Sequence, residues 1–569
     1  MSTTVADIIA ASLHRHGIRI IFGQSNPTAL LLAAEKIGIR QVFYRTENAA
    51  GVMADGYSRI SQQIGVVAAQ NGPAATLFVA PMAEALKASI PMLVLVQEVP
   101  ASTRDRNAFQ ELDHFALFAG VSKWTRRIDD PARAEDYVDL AITVANSGRP
   151  GPVVLLLPKD VLELPARPGR FPRSQNLGGF PLDRPRPEAG TVAHAAQLLA
   201  QARSPLVIAG GGVHISQATT ELAALQNLAH LPVATTNMGK GAIDETAPLS
   251  LGVAANITGE RGPAHFHLPL ISQADVVLLV GTRTNENGTD GWTLTSPKAT
   301  YIHIDVDGLE VGRNYEAVRL VGDARSALAD LSAALDVIDL SKRQSASEEL
   351  AATIAEGRRK HAAAVSDRVS SNCTPIGPER LLAELDALLQ PEDIVVADAS
   401  YASIWVTSYL TAKRAGQRFL VPRGLAGLGW GYPLGIGAKL ANPQARVVSI
   451  VGDGGFAHVW AEVETAVREN IPVVVIILNN KVLAYQRHAE NYLFGTTTTA
   501  IEFAPVDHAA MARALGAHGI VIRDANEIGT VLKTALESQA TTVIDVITDP
   551  EAYAPVRVWD EDPGQINPE

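Results

Sequence analysis

Five short apolar runs rich in valine, Met92–Val96, Val153–Leu157, Val276–Val280, Val447–Val451 and Val473–Leu478, recur along the chain with helical patterns between them. Runs of this length and continuity suit strands buried on both faces, as inside a parallel sheet. The helical stretches supply the crossovers that parallel strands require. The fold class is therefore α/β. A chain of 569 residues is too long for one core, and at about 100–200 residues per domain it divides into three.

Two junctions mark the divisions. Pro165, Pro168, Pro172, Pro181, Pro185 and Pro187 crowd a stretch that can continue neither a helix nor a central strand, so it reads as a linker over the surface. The second follows Leu340: a helical pattern spans Ser347 to Val369, and Asn372-Cys-Thr-Pro375 opens a new unit. The expected domains are 1–165, 188–345 and 372–550. The acidic tail after Tyr553 reads as a lid or a mobile end. At the N-terminus, Val5, Ile8, Ile9 and Leu13 predict an amphipathic helix rather than a secretory signal. No apolar run approaches the ~18 residues of a membrane span. A net charge of −12 and a pI near 5.7 argue against a general nucleic-acid binder. Cys373 is the one cysteine, which excludes an intramolecular disulfide and a cysteine metal cluster and fits a cytoplasmic location.

The most informative segment is Val451-Gly-Asp-Gly-Gly455, which follows one strand and opens a helix whose apolar face is Phe456, Val459, Trp460, Val463 and Val467. A Gly-rich strand-to-helix turn lets backbone N–H groups approach an anion at the positive end of the helix. The next strand ends at Asn479-Asn480, 27 positions beyond Asp453. That spacing holds one crossover helix and a return strand, so Asp453 and Asn480 fall at the carboxyl ends of neighbouring parallel strands. A carboxylate and an amide oxygen suit Mg²⁺, which fills its octahedron with phosphate and water.

Gly-Asp-Gly followed by Asn-Asn at this distance resembles the thiamine-diphosphate motif. The resemblance implies metal ligands at Asp453, Asn480 and the carbonyl of Val482, with Gly454 and Gly455 against the diphosphate and Leu483 and Ala484 beside it. Ala397-Asp-Ala-Ser-Tyr401 resembles the other phosphate-facing loop, bringing in Ser400 and Tyr401; Ser400 reads equally as a phosphate donor or a helix N-cap. Gly424-Leu-Ala-Gly-Leu-Gly-Trp-Gly-Tyr-Pro433 resembles the Gly-rich loop under the cofactor, with Leu428 enforcing the bent cofactor and the Ala426 carbonyl accepting from the pyrimidine amino group.

Thiamine diphosphate stabilises a carbanion once its ring carbon loses a proton, and that step needs a carboxyl group on the pyrimidine in an apolar setting. Glu47, in Tyr44-Arg-Thr-Glu-Asn-Ala-Ala-Gly-Val-Met-Ala-Asp-Gly-Tyr-Ser-Arg59, alone reads as a first-turn capping glutamate. The stretch resembles the family's activating-glutamate segment, which implies that Glu47 is the activator; Thr46 stands where many relatives have histidine. The resemblance extends over nearly the whole chain and is strongest to acetohydroxyacid (acetolactate) synthase large subunits, oxalyl- and hydroxyacyl-CoA lyases and benzoylformate decarboxylase. It implies pyrimidine-binding, central and diphosphate-binding doubly wound domains. It also implies sites built between two chains, hence a homodimer or homotetramer.

On the substrate side the resemblance implies Gln70, Gln110 and His114 as catalytic candidates, with Phe109 facing the neighbouring cofactor. A neutral glutamine cannot be a general base near neutral pH, though it can bind a carboxylate or carbonyl. A lone histidine such as His114 is more often structural. Two departures stand out: Phe22-Gly-Gln-Ser-Asn-Pro27 replaces the usual turn, and Ala489 stands where synthases carry a tryptophan that helps choose the acceptor. His488 and Glu490 read either as new substrate contacts or as a solvated helix face. Ile208-Ala-Gly-Gly-Gly212, Val280-Gly-Thr-Arg283 and Ile304-Asp-Val-Asp307 resemble the family's central domain, which holds FAD, ADP or nothing.

The expected activity is cleavage or formation of a C–C bond at a 2-oxo acid, acetolactate-synthase-like. The alternatives are a 2-hydroxyacyl-CoA lyase or oxalyl-CoA decarboxylase-like enzyme acting on an acyl substrate, a non-catalytic cofactor-binding regulatory relative, and a flavin oxidase. The acidic Trp559-Asp-Glu-Asp562 offers the wrong charge for CoA phosphates.

Overall fold

The computed structural model describes residues 3–169 and 171–560. The start of the expected N-terminal reading, Met1 and Ser2, and the tail residues Glu561 and Asp562 lie outside them.

Three six-stranded sheets carry the architecture. The first holds β1 (Ile20–Gly23), β2 (Arg40–Val42), β3 (Gly65–Ala69), β4 (Met92–Glu98), β5 (Trp124–Arg127) and β6 (Pro152–Pro158), in the order β2-β1-β3-β4-β6-β5. The second holds β7 (Pro205–Ala209), β8 (Val233–Thr235), β9 (Ser250–Val253), β10 (Val276–Val280), β11 (Thr300–Asp305) and β12 (Ala317–Val321), in the order β12-β11-β10-β7-β8-β9. The third holds β13 (Ile394–Ala397), β14 (Phe419–Leu420), β15 (Val447–Gly452), β16 (Val474–Asn479), β17 (His518–Ile522) and β18 (Thr542–Ile547), in the order β14-β13-β15-β16-β18-β17. The strand pairings are parallel throughout. The valine-rich runs of the sequence are β4, β6, β10, β15 and β16, the inner strands, where both faces must be apolar.

In each sheet the chain winds outward in both directions from one pair of adjacent strands, and a doubly wound sheet opens a crevice at that point beyond its strand ends. The crevices fall between β1 and β3, between β7 and β10, and between β13 and β15. In the second and third domains a Gly-rich segment singled out by sequence, 208–212 and 451–455, follows one of these strands.

The described residues between 166 and 188 form neither helix nor strand, as their prolines require. They lie along the first domain, where Asn146 Nδ2 donates to the Leu177 carbonyl at 2.7 Å and the Leu182 N–H donates to the Asn146 carbonyl at 3.2 Å. The helix before the third domain begins earlier than its pattern suggested, at Ser341–Val369. Among the described residues, no helix is long and apolar enough to cross a membrane.

The first and third domains share a core. Ala49, Ala50 and Met53 of the helix Glu47–Ser61 pack with Tyr432, Leu434 and Ile436 of the helix Gly431–Ala441. The alanines and glycines of both helices permit this contact. A Cβ on Gly437 would fall onto the Met53 carbonyl, and one on Gly56 onto that of Leu434.

Candidate active site

At the crevice between β13 and β15, a cavity of about 60 Å³ is lined by Asp398, Ser400, Tyr401, Leu428, Gly452, Asp453, Gly454, Gly455, Asn480, Val482, Leu483 and Ala484, among others. Asp453 directly follows β15, and Asn480 directly follows its neighbour β16, with Gly452 opposite Leu478. Asp453 Oδ1 accepts from the Gly454 N–H at 2.9 Å, and Oδ2 accepts from the Lys481 N–H at 2.8 Å. Asn480 Oδ1 accepts from the Val482 N–H at 3.2 Å. These bonds tie the two turns together and fix both oxygen donors. Burial pushes the Asp453 carboxyl up to about 6, against the pull of the Lys481 and Gly454 N–H groups.

Gly454 and Gly455 line this cavity, and neither has space for a side chain. A Cβ on Gly455 would fall onto the Asp398 carboxylate, and one on Gly454 would come within 2.8 Å of the Phe503 ring. The predicted amphipathic helix is broken here: Asp453–Phe456 and Glu462–Arg468 are separated by turns bonded three residues back. The apolar positions Phe456, Val459 and Val463 are nonetheless buried, so the facing pattern survived the tighter winding.

Ser400 occupies the N-cap position of its helix. It precedes the helix Tyr401–Tyr409 at φ 62°, and its side chain makes no capping bond. Its residue lines the cavity instead. Tyr401 donates its hydroxyl to His488 Nδ1 at 2.6 Å; burial lowers the His488 pKa and raises that of Tyr401, so the pair is neutral. Glu490, by contrast, is spent on structure: its carboxylate accepts from the Thr498 N–H at 2.6 Å and from Gln486 at 3.3 Å.

Ala426 stands in the Gly-rich loop at φ 61°, exposed and outside the cavity lining, whereas Leu428 reaches it. Two acidic residues that sequence reasoning passed over hold this loop. Asp398 is buried, and its carboxylate accepts from the N–H groups of Gly429 (3.0 Å), Trp430 (2.9 Å) and Gly431 (3.1 Å). Burial raises its pKa while the three N–H groups pull it back. Glu84, from the first domain, accepts from the N–H groups of Gly424 and Leu425 and lies 3.6 Å from the Arg59 guanidinium. The signal for Asp398 was an acid directly after an apolar strand and ahead of a Gly-rich loop; Glu84 gave none, because its partners lie 340 and 341 positions away.

Glu47 opens its helix with Thr46 as N-cap, whose hydroxyl accepts from the Ala49 N–H at 3.3 Å. Glu47, Gln70, Gln110 and His114 do not line the Asp453 cavity of their own chain. Gln70 Nε2 donates to Gln110 Oε1 at 2.6 Å, so these two meet at the carboxyl end of β3. His114 is 1 % exposed. Its Nε2 accepts from the Gly72 N–H at 3.2 Å while Nδ1 faces Glu98 at 3.1 Å. Both ring nitrogens are thus engaged, and His114 braces the 70–72 turn.

The central domain contains the larger cavity, about 460 Å³, at the crevice between β7 and β10. Gly210 and Gly212 lie against Gly281 so closely that a Cβ on either would meet its backbone. Arg149, Arg283 and Glu310 form part of the wall, with both arginines paired to Glu310 at 3.4 and 3.1 Å.

A carboxylate and an amide oxygen fixed at adjacent strand ends, beside a Gly-rich strand-to-helix turn, form a donor set that suits a divalent cation and a phosphate. The N-terminal TPP binding domain, central domain and C-terminal TPP binding domain of thiamine pyrophosphate enzymes match residues 3–117, 192–331 and 398–546. A probable acetolactate synthase large subunit of Methanocaldococcus jannaschii is 32% identical, covering 97% of this chain and 93% of that protein. The acetolactate synthase large subunit of Parasynechococcus marenigrum is 32% identical over 94% of this chain and 86% of its own. Acetolactate synthase 1 of Zea mays is 29% identical over 95% and 85%. The chain belongs to the thiamine pyrophosphate enzymes, and within them to the acetolactate synthase type. It is a thiamine-diphosphate-dependent enzyme of the decarboxylase and carboligase kind, and the CoA-lyase and non-catalytic alternatives are not favoured.

Proposed function

We propose that the protein removes carbon dioxide from a 2-oxo acid and joins the remaining acyl unit to a second carbonyl compound. The observation that carries this reading is the Asp453–Asn480 pair over the Gly454–Gly455 opening. Bound thiamine diphosphate supplies the electron sink for the carbon left by the departing carboxylate. Asp453, Asn480 and the Val482 carbonyl would hold Mg²⁺, which would neutralise the charge of the diphosphate. Gly454, Gly455 and the Ser400 hydroxyl receive the diphosphate, and Leu428 supports the bent cofactor. Glu47 bonds the pyrimidine of the neighbouring chain's cofactor, and Gln70 and Gln110 bind carboxylate or carbonyl oxygens there. The supporting arrangement is that Glu47 does not line the Asp453 cavity of its own chain and Phe109, beside Gln110, is 81% exposed, so a homodimer is the working unit. Ala489 leaves the acceptor side wider than a tryptophan would.

The central cavity suits a nucleotide, FAD or ADP: its volume of about 460 Å³ falls in the range of small-molecule sites, and its glycines meet at a strand crevice. A yellow purified protein identifies FAD. The main test incubates the protein with thiamine diphosphate, Mg²⁺ and ¹³C-pyruvate and follows carbon by NMR, with Glu47→Gln alongside. Acetolactate from wild type alone supports the reading with pyruvate as donor. Turnover by E47Q at the wild-type rate refutes the role of Glu47.

A further inference from the structure

The helix Glu462–Arg468 belongs to the diphosphate-binding domain, yet its first residue points its bonds at the first domain. Glu462 is 1% exposed. Its carboxylate accepts from the Arg45 N–H (3.2 Å to each oxygen) and from the Thr46 N–H (3.0 Å), and Thr465 donates its hydroxyl at 2.8 Å. Arg45 and Thr46 are the two residues immediately before Glu47. Burial raises the Glu462 pKa, and the N–H and hydroxyl donors oppose that shift.

Glu462 is not the only contact between this helix and the 43–46 turn. Arg45 Nε pairs with Glu464 at 2.8 Å, and Arg468 donates to the Phe43 carbonyl at 2.7 Å while its guanidinium lies over the Phe43 ring at 4.7 Å. A carboxylate buried on top of these contacts is costly unless its bonds serve something the surface contacts do not. What it adds is the orientation of two peptide groups. Thr46 is the N-cap of the helix that Glu47 begins, and its hydroxyl already fixes the Ala49 N–H. Clamping the Thr46 N–H from outside leaves the cap one geometry, and with it the direction in which Glu47 leaves the helix.

We infer that Glu462 is a positioning residue for Glu47, delivered by the segment that runs on from the Asp453 turn of the same chain. The inference rests on the reading of Glu47 as the activating carboxylate.

The test measures proton–deuterium exchange at the reactive ring carbon of bound thiamine diphosphate by rapid quench and NMR, in the Mg²⁺-loaded holoenzyme. Cofactor affinity is measured in parallel by fluorescence titration. Losing a charge-assisted bond to two buried N–H groups slows exchange about tenfold in E462A, with the cofactor Kd within about threefold of wild type. E462Q, whose carbonyl oxygen still accepts from Thr46, recovers to within about threefold of wild type. Thr465→Val removes only the hydroxyl bond, slows exchange about threefold, and carries the test if E462A does not fold. Exchange at the wild-type rate in E462A, or in T465V where it stands in, overturns the inference. So does a fall in cofactor affinity as large as the fall in exchange. E47Q separates the two layers: if it exchanges like wild type, the activator reading itself fails, whereas slow E47Q with fast E462A refutes only the positioning role.

Discussion

Asp398 is the most informative single residue to perturb, because its role is written in three distances. Its carboxylate is fully buried and accepts from Gly429, Trp430 and Gly431 at 3.0, 2.9 and 3.1 Å. Oδ1 serves two of these groups and Oδ2 the third. Asp398→Asn keeps one acceptor oxygen and turns the other into a donor, so the Gly429 N–H loses its partner and faces another N–H. An orphaned buried donor to a charged acceptor costs about 2 kcal/mol, which lowers amide protection at Gly429 by about thirtyfold. Native-state hydrogen exchange read by mass spectrometry over 427–433 measures this directly. The same loop carries Leu428, and a Gly455 Cβ would fall onto Asp398, so thiamine diphosphate affinity is expected to fall with the protection. Unchanged protection in D398N would refute the reasoning. It would mean that Asp398 is protonated in the native chain, burial having outweighed its three donors.

Three further outcomes are expected. If each site needs Glu47 from one chain and Asp453 from the other, E47Q and D453A are each inactive, and mixing them after reversible dissociation restores about a quarter of wild-type turnover through hybrid dimers with one intact site; no recovery in verified hybrids refutes the shared site. His214, buried with Nε2 against the Lys240 carbonyl at 2.9 Å, is held down to about 3 from 6.5 by burial. The unfolded chain therefore takes up the proton first, and stability intact above 6.5 is lost as pH falls, by about 2 kcal/mol at pH 5. His214→Gln removes that part of the acid limb in a melting series, and identical pH profiles would contradict it. Gly437→Ala drives a Cβ onto the Met53 carbonyl and within 2.8 Å of the Tyr57 nitrogen. Backbone on backbone cannot yield, so about 2–3 kcal/mol is lost and calorimetry shows a lower melting temperature; an unchanged melting temperature would mean the two helices separate freely.

The α/β fold was legible because burial on both faces demands unbroken apolar strands, and β4, β6, β10, β15 and β16 carry that pattern in their residues. The placement of Asp453 and Asn480 was legible for the same reason: a strand, a Gly-rich turn, a crossover and a second strand leave two residues at neighbouring strand ends. These are local facts, and local sequence records them. Tertiary structure decided what depends on partners far along the chain. Only the fold shows that His114 has both nitrogens occupied, by Gly72 and Glu98, and that Glu490 is spent on Thr498. Only the fold sets Glu84 on the Gly-rich loop and Glu462 on the turn before Glu47. A buried carboxylate looks the same in sequence as a solvated one. Its meaning comes from which N–H groups are brought to it, and for Glu84 and Glu462 those lie 340 and 416 residues away.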